Sequence, residues 1–200
     1  MNKMDRREAI RRTSLALGGV ISAPTLAVIL KGCTPTRTLE WQPTLFTPEQ
    51  AMIVEDISER IIPATDTPGA QGVGVPQFIE EMVKLVYKEE DRQAFIKGLN
   101  DLEASTQADS GKSFTKLSEE EQYEILNPLN ERAAKDARQS QLNPQNPIKP
   151  TFFRAIKELT VVGYYTSEIG ATQELEFLEI PGNYDGCVPI SELSGKTWAT

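Results

Sequence analysis

Two hundred residues, 39% hydrophobic and 25% charged, suffice for one domain with a modest core and tails. The net charge of −8 is uneven: residues 1–32 hold six bases against two acids, +4, which leaves −12 for the rest and argues against a nucleic-acid partner. No histidine is present, which removes the commonest general base, the Ser-His and Cys-His nucleophile pairs, and the usual haem and zinc ligand.

Residues 1–32 read as an export signal, with a basic start before a moderately apolar run from Ser14 to Leu30. Arg6-Arg7, followed by a spacer, apolar residues and Arg11, resembles a twin-arginine signal; Arg11-Arg12 is a poorer second pair. Twin-arginine export carries folded proteins, so the signal implies a passenger that bears a cofactor. Leu30-Lys31-Gly32-Cys33 resembles a bacterial lipobox, in which Cys33 is lipidated after cleavage, although Lys31 departs from the usual small or apolar residue. An uncleaved anchor is the alternative, weakened by Gly18, Gly19 and Pro24. Residues 33–46 read as a tether without clear period, with docking expected only near Trp41.

The domain is expected over 47–200. Thr47-Pro48-Glu49 is a helix start: a capping hydroxyl, proline at the first position, then an acid near the positive helix end. Ile53, Val54, Ile57 and Ile61 share its apolar face; Glu55, Asp56 and Glu59 its polar face; Pro63 ends it. Residues 63–76 form a loop rich in proline and glycine. Gly69, Gly72 and Gly74 fit neither the dinucleotide fingerprint nor a phosphate loop. Thr65, Asp66 and Thr67 can fix a turn through their own backbone, or meet a partner; both readings stand.

Val75-Pro76 opens a second helix with Phe78, Ile79, Met82, Val83 and Val86 on one face. A third is predicted from Glu89 to Ala104, carrying Phe95, Leu99 and Leu102, with a polar connection from Ser105 to Ser113. Ser118 to Glu121 is a capping box, and the acidic run follows from the helix dipole better than from metal binding. Asn127-Pro128 predicts a kink or a restart, and Gln139 to Pro150 a connector.

Pro150 then opens the helix around which the rest is expected to pack. Phe152, Phe153, Ile156, Leu159 and Val162 recur at helical spacing, and Leu159 to Ser167 carry no charge, so the helix is expected to be buried, in its own core or against a partner. Gly163 costs about 1 kcal/mol relative to alanine there, which points to close approach of another backbone. Tyr164 reads as core, and Tyr165, Thr166, Ser167 and Glu168 as a contact surface. Glu168 lacks a paired acid or base and is not read as catalytic. After Gly170 comes an acidic, extended tail with a turn at Gly182-Asn183 or Asp185-Gly186. Cys187 is open to three readings: a buried small hydrophobe, a disulfide partner of another subunit, or a redox site. Two cysteines cannot hold an iron–sulfur cluster.

GYYTSEIGAT (Gly163–Thr172), PGNYDGCVP (Pro181–Pro189) and IIPATDTPGAQGVGVPQFIEEM (Ile61–Met82) together resemble the gluconate 2-dehydrogenase subunit 3 family, over most of the chain from about Thr47. The fold expected is mainly α: one irregular bundle of about five or six helices with an extended C-terminal tail. The resemblance implies a non-catalytic small subunit of a membrane-associated, FAD-dependent dehydrogenase complex. Its large subunit, of the glucose-methanol-choline type, would bind FAD, and a cytochrome c subunit would carry haem. This chain would escort the large subunit through twin-arginine export and hold it, lipid-anchored, on the periplasmic side of a bacterial membrane. Thr65, Asp66, Thr67, Tyr165, Thr166, Ser167, Glu168, Tyr184, Asp185 and Cys187 are the expected partner interface. No nucleotide fingerprint and no C-x-x-C-H occurs in the chain. A second class of function remains: a free-standing cell-envelope lipoprotein that binds a small ligand or carbohydrate around Asp66 and Glu168.

Overall fold

The computed structural model describes residues 38–180, 182, 187–189, 191 and 195–199. Leu39–Thr200 forms one compact unit. The fold is mainly α, and no strand occurs among the described residues. In chain order the α-helices are α1 (Pro48–Ile61), α2 (Val75–Leu85), α3 (Glu89–Ser110), α4 (Glu119–Leu142) and α5 (Phe152–Tyr165). A 3₁₀ turn, Phe114–Lys116, precedes α4, and a π turn, Gly170–Glu174, follows α5.

The helix starts obey the local chemistry. Thr47 and Gln50 form a reciprocal capping box on α1, as do Ser118 and Glu121 on α4. Gly74, at φ 80°, turns the chain into α2, and Gly111, at φ 70°, closes α3. The cap of α5 is Thr151, whose hydroxyl accepts from Arg154 N at 3.3 Å. Pro150 therefore lies before the cap and not at the first helical position.

Helix α5 touches all four other helices, and its contact with α2 is the most extensive. Ile156, Leu159 and Tyr164 of α5 meet Ile57, Ile79, Val83 and Leu99 in one core. Two glycines permit this closeness. A Cβ on Gly163 would lie 2.6 Å from Phe78 Cδ1, and one on Gly98 would overlap the Phe152 side chain. The neighbour that requires Gly163 is thus an aromatic ring and not a backbone.

Several expected boundaries move. Helix α3 runs on to Ser110, because Thr106 is buried and its hydroxyl bonds Leu102 O, so most of the expected polar connection is helical. Helix α4 continues through Pro128 to Leu142. Proline removes the N–H that would reach Glu124, but both residues are exposed, so solvent can take its place. The packed chain begins at Leu39, ahead of Thr47: Phe46 is buried and stacks on Phe95 with centroids 6.0 Å apart. Glu80 clasps this segment, accepting from Thr44 N, Leu45 N and Phe46 N at 2.8–2.9 Å, while Trp41 Nε1 donates to Glu55. Glu55 and Asp56, expected on a solvated face, are buried. After the π turn the tail is extended, and Glu176 pairs with Trp198 in an isolated parallel bridge.

Candidate partner interface

The loop between α1 and α2 meets the end of α5, and carboxylates shape the junction. Glu59, in the last turn of α1, accepts from Ala64 N through Oε1 and from Gln71 N through Oε2, both at 2.9 Å. Its carboxylate lies where a Cβ on Gly69 would stand, so the loop closes over it only with glycine there. Within the loop, Thr65 N donates to Thr67 O and Ala70 N to Ile62 O. The loop is a shaped turn rather than a phosphate cradle.

Tyr164 joins this loop to α5. Its ring is buried, and its hydroxyl donates to Pro68 O at 2.9 Å and lies 3.3 Å from Thr67 Oγ1. Thr67 Oγ1 in turn donates to Glu174 of the π turn at 3.0 Å. The π turn is itself locked: Ser167 Oγ donates to Tyr164 O and accepts from Gly170 N, and Leu175 N donates to Gly170 O. A Cβ on Gly170 would collide with the Tyr164 carbonyl. Loop, helix end and tail are therefore one braced surface.

On that surface Thr65, Asp66, Thr166 and Glu168 are exposed, and Thr67 and Ser167 are half-buried in the bonds just given. Tyr165 is 38% exposed and sits edge-on to Tyr164. Of the expected interface, Thr65 to Thr67 and Tyr165 to Glu168 are thus brought together. Cys187 is exposed, which overturns its reading as a buried hydrophobe. Tyr184 and Asp185 lie outside the described residues, as do Arg6, Arg7 and Cys33.

Further apolar side chains are exposed, and Val162, expected from its spacing to be buried with the rest of its helix, is 49% exposed. Val161 and Val162 of α5 are exposed, and they line a 320 Å³ groove with Ala133, Ala134 and Ala137 of α4. Phe177, Leu178 and Ile180 stand out of the tail, Ile180 at 82% exposure. From Glu158 to Gly195 the chain has seven acidic residues and no base. The groove is lined by Arg154, Lys157 and Glu158 as well, so its apolar floor has a mixed polar rim, which suits a protein partner.

The described residues hold no cluster of three His, Cys, Asp or Glu placed to bind a metal. Three cavities of 170–320 Å³ lie at or below the lower end of ordinary small-molecule sites, and neither Asp66 nor Glu168 lines any of them. No described helix is long and apolar enough to cross a membrane.

No curated protein and no solved structure matches this chain. A family model for gluconate 2-dehydrogenase subunit 3 matches residues 48–182, which takes in all five helices, the α1–α2 loop, the π turn and the start of the tail. The chain belongs to the gluconate 2-dehydrogenase subunit 3 family, and so to a subunit type of a larger dehydrogenase complex.

Proposed function

We propose that this chain is the non-catalytic small subunit of a gluconate 2-dehydrogenase-like complex, and that the braced face around Tyr164 and Tyr165 grips the catalytic subunit. The partner is a flavoprotein of the glucose-methanol-choline type that binds FAD, and a cytochrome c subunit with haem takes the electrons. Arg6-Arg7 addresses the pair to twin-arginine export, and lipidated Cys33 holds it on the periplasmic side. The observation that carries the reading is the junction itself. The α1–α2 loop and the end of α5 are locked together by Tyr164, Thr67 and Glu174, and present exposed Tyr165, Val161 and Val162 beside them. A rigid patch with aromatic and aliphatic anchors loses little entropy on binding.

The test is recovery of the tagged full chain from detergent-solubilised membranes. A flavoprotein should co-elute, seen by its flavin absorption, and the chain purified alone should be colourless and inactive with a sugar and a dye acceptor. Val162→Asp should reduce co-elution while leaving the helical circular dichroism intact. Arg6→Lys with Arg7→Lys should leave the dehydrogenase activity in the cytoplasm. Turnover by the isolated chain would overturn the proposal, and its recovery from membranes without any flavoprotein would overturn it in favour of a free-standing lipoprotein.

A further inference from the structure

Two surfaces of this chain match each other. The groove between α4 and α5 has Ala133, Ala134 and Ala137 on one wall and Val161 and Val162 on the other. Arg154 on its rim is already paired with Glu158. Lys157, beside it, donates to the neutral Asn130 Oδ1 at 2.7 Å and forms no ion pair among the described residues, and neither does Arg138, exposed next to Ala137. The tail is the reverse in sign. Phe177, Leu178 and Ile180 are exposed there, and from Glu168 to Gly195 the chain has six acids and no base. Neither half is covered by the other within one chain, because none of these three side chains lines the groove.

We infer that the groove receives the tail of a second copy of this chain, residues 177–180, in a reciprocal dimer. A cavity of about 150 Å³ encloses a benzene-sized ring, so 320 Å³ takes the Phe177 ring with an aliphatic neighbour. Glu179, between Leu178 and Ile180 in the chain, brings a carboxylate to cations that have none. The start of the tail is tied down at the end of its own α5: Glu174 accepts from Thr67, Lys196 Nζ donates to Gln173 O, and Glu176 pairs with Trp198. The groove within reach of residues 177–180 is therefore a neighbour's. A chain that offers both a groove and its complement closes a twofold dimer with two identical contacts. Val161 and Val162 also belong to the face proposed to grip the catalytic subunit, so the dimer is the state of the chain before that subunit displaces it. The inference needs this chain alone and does not rest on that reading.

Sedimentation equilibrium of the full chain in a density-matched detergent should show monomer and dimer with a dissociation constant on the order of ten micromolar, weaker at high salt than at low. Ala134→Leu fills the groove from an exposed position, and Glu179→Lys reverses the sign of the entering segment. Each should raise the dissociation constant at least about tenfold while the helical circular dichroism stays unchanged. Mixing the two variants restores one sound contact, the intact tail of the Ala134→Leu chain in the intact groove of the Glu179→Lys chain. The mixture should therefore dimerise more tightly than either variant alone, which a general loss of structure could not produce. A chain that stays monomeric at about 100 µM, ten times that constant, would overturn the inference. So would a dimer indifferent to both substitutions, or a mixture no tighter than its components. Recovery of a flavoprotein with the chain is a separate readout, so the proposed function stands or falls apart from these results.

Discussion

Tyr164→Phe removes one oxygen from the bond that ties the α1–α2 loop to α5. The ring keeps its packing, so no apolar burial is lost. What disappears is the bond to Pro68 O at 2.9 Å and the contact with Thr67 Oγ1 at 3.3 Å. A neutral hydrogen bond contributes about 0.5–1.5 kcal/mol net, and a partner left buried without its bond adds up to about 1–3 kcal/mol. Pro68 is only half-buried, so its carbonyl regains some water and the total falls near 1–1.5 kcal/mol. For a domain of this size that lowers Tm by roughly 2–5 °C. Tyr164→Ala, which also empties the ring site, should cost about 3–5 kcal/mol by comparison with other aromatic truncations. The telling measurement is local. Hydrogen exchange should accelerate at Ala70 N, which bonds Ile62 O across the loop, while amides in α3 keep their protection. Equal loss of protection in the loop and in α3, or an unchanged Ala70 amide, would refute the idea that this hydroxyl is what braces the loop.

Three more outcomes are expected. Gly163→Ala should destabilise the fold by about 1–3 kcal/mol despite better helix propensity, since its Cβ would meet Phe78 at 2.6 Å; in a Phe78→Ala background urea unfolding should show that penalty largely gone. Glu80→Ala deletes the acceptor of three consecutive backbone N–H groups and should cost about 3–5 kcal/mol, with chymotrypsin cutting at Trp41 or Phe46 long before the helices open. The Glu121 carboxyl is held below the usual glutamate range by the Ser118 backbone N–H and by Lys112, so its contribution is full above the unfolded value of about 4.3 and is lost as pH falls through the lower folded value. Urea midpoints of Glu121→Gln should therefore converge on those of the wild type towards acid and diverge towards neutral pH.

Much of this was legible because it is local. Thr47-Pro48 and Ser118 to Glu121 declare their helices by capping chemistry, and both caps form as read. The stripes of Ile53, Ile57, Ile79, Val83, Leu99 and Ile156 identify the core by period alone. Gly163 betrayed a close approach, although not to what. The end of α3 was missed for want of apolar period after Leu102; Gly111, the first glycine after it, was the available signal. Of the two readings at Asn127-Pro128, the restart is ruled out by a helix that continues to Leu142, because whether proline breaks a helix depends on whether the orphaned carbonyl can reach water, which is a tertiary fact. The joining of Thr67 to Tyr164 and Glu174 spans roughly a hundred residues, and no local rule reaches that far.

The acidic side chains deceived for a different and more instructive reason. Periodicity sorts a helix into apolar and polar faces, and carboxylates default to the polar one. Two of them carried signs that they did not belong there. Glu59 sits in the last turn of α1, where the helix dipole disfavours an anion, and it is there because Ala64 N and Gln71 N need an acceptor beneath the loop. Glu80 lies between Pro76 and Val83 on the buried side of α2, a position no solvated acid would take, and it collects three N–H groups of the incoming strap. In a bundle with no strand among its described residues, a segment that is not helical must find acceptors for its N–H groups elsewhere. Here inward carboxylates on α1 and α2 supply them, and the positions of those acids mark which irregular segments are rigid. The α1–α2 loop is one of them. That rigidity, more than any chemical group on its surface, suits the loop and the adjoining end of α5 to hold another protein.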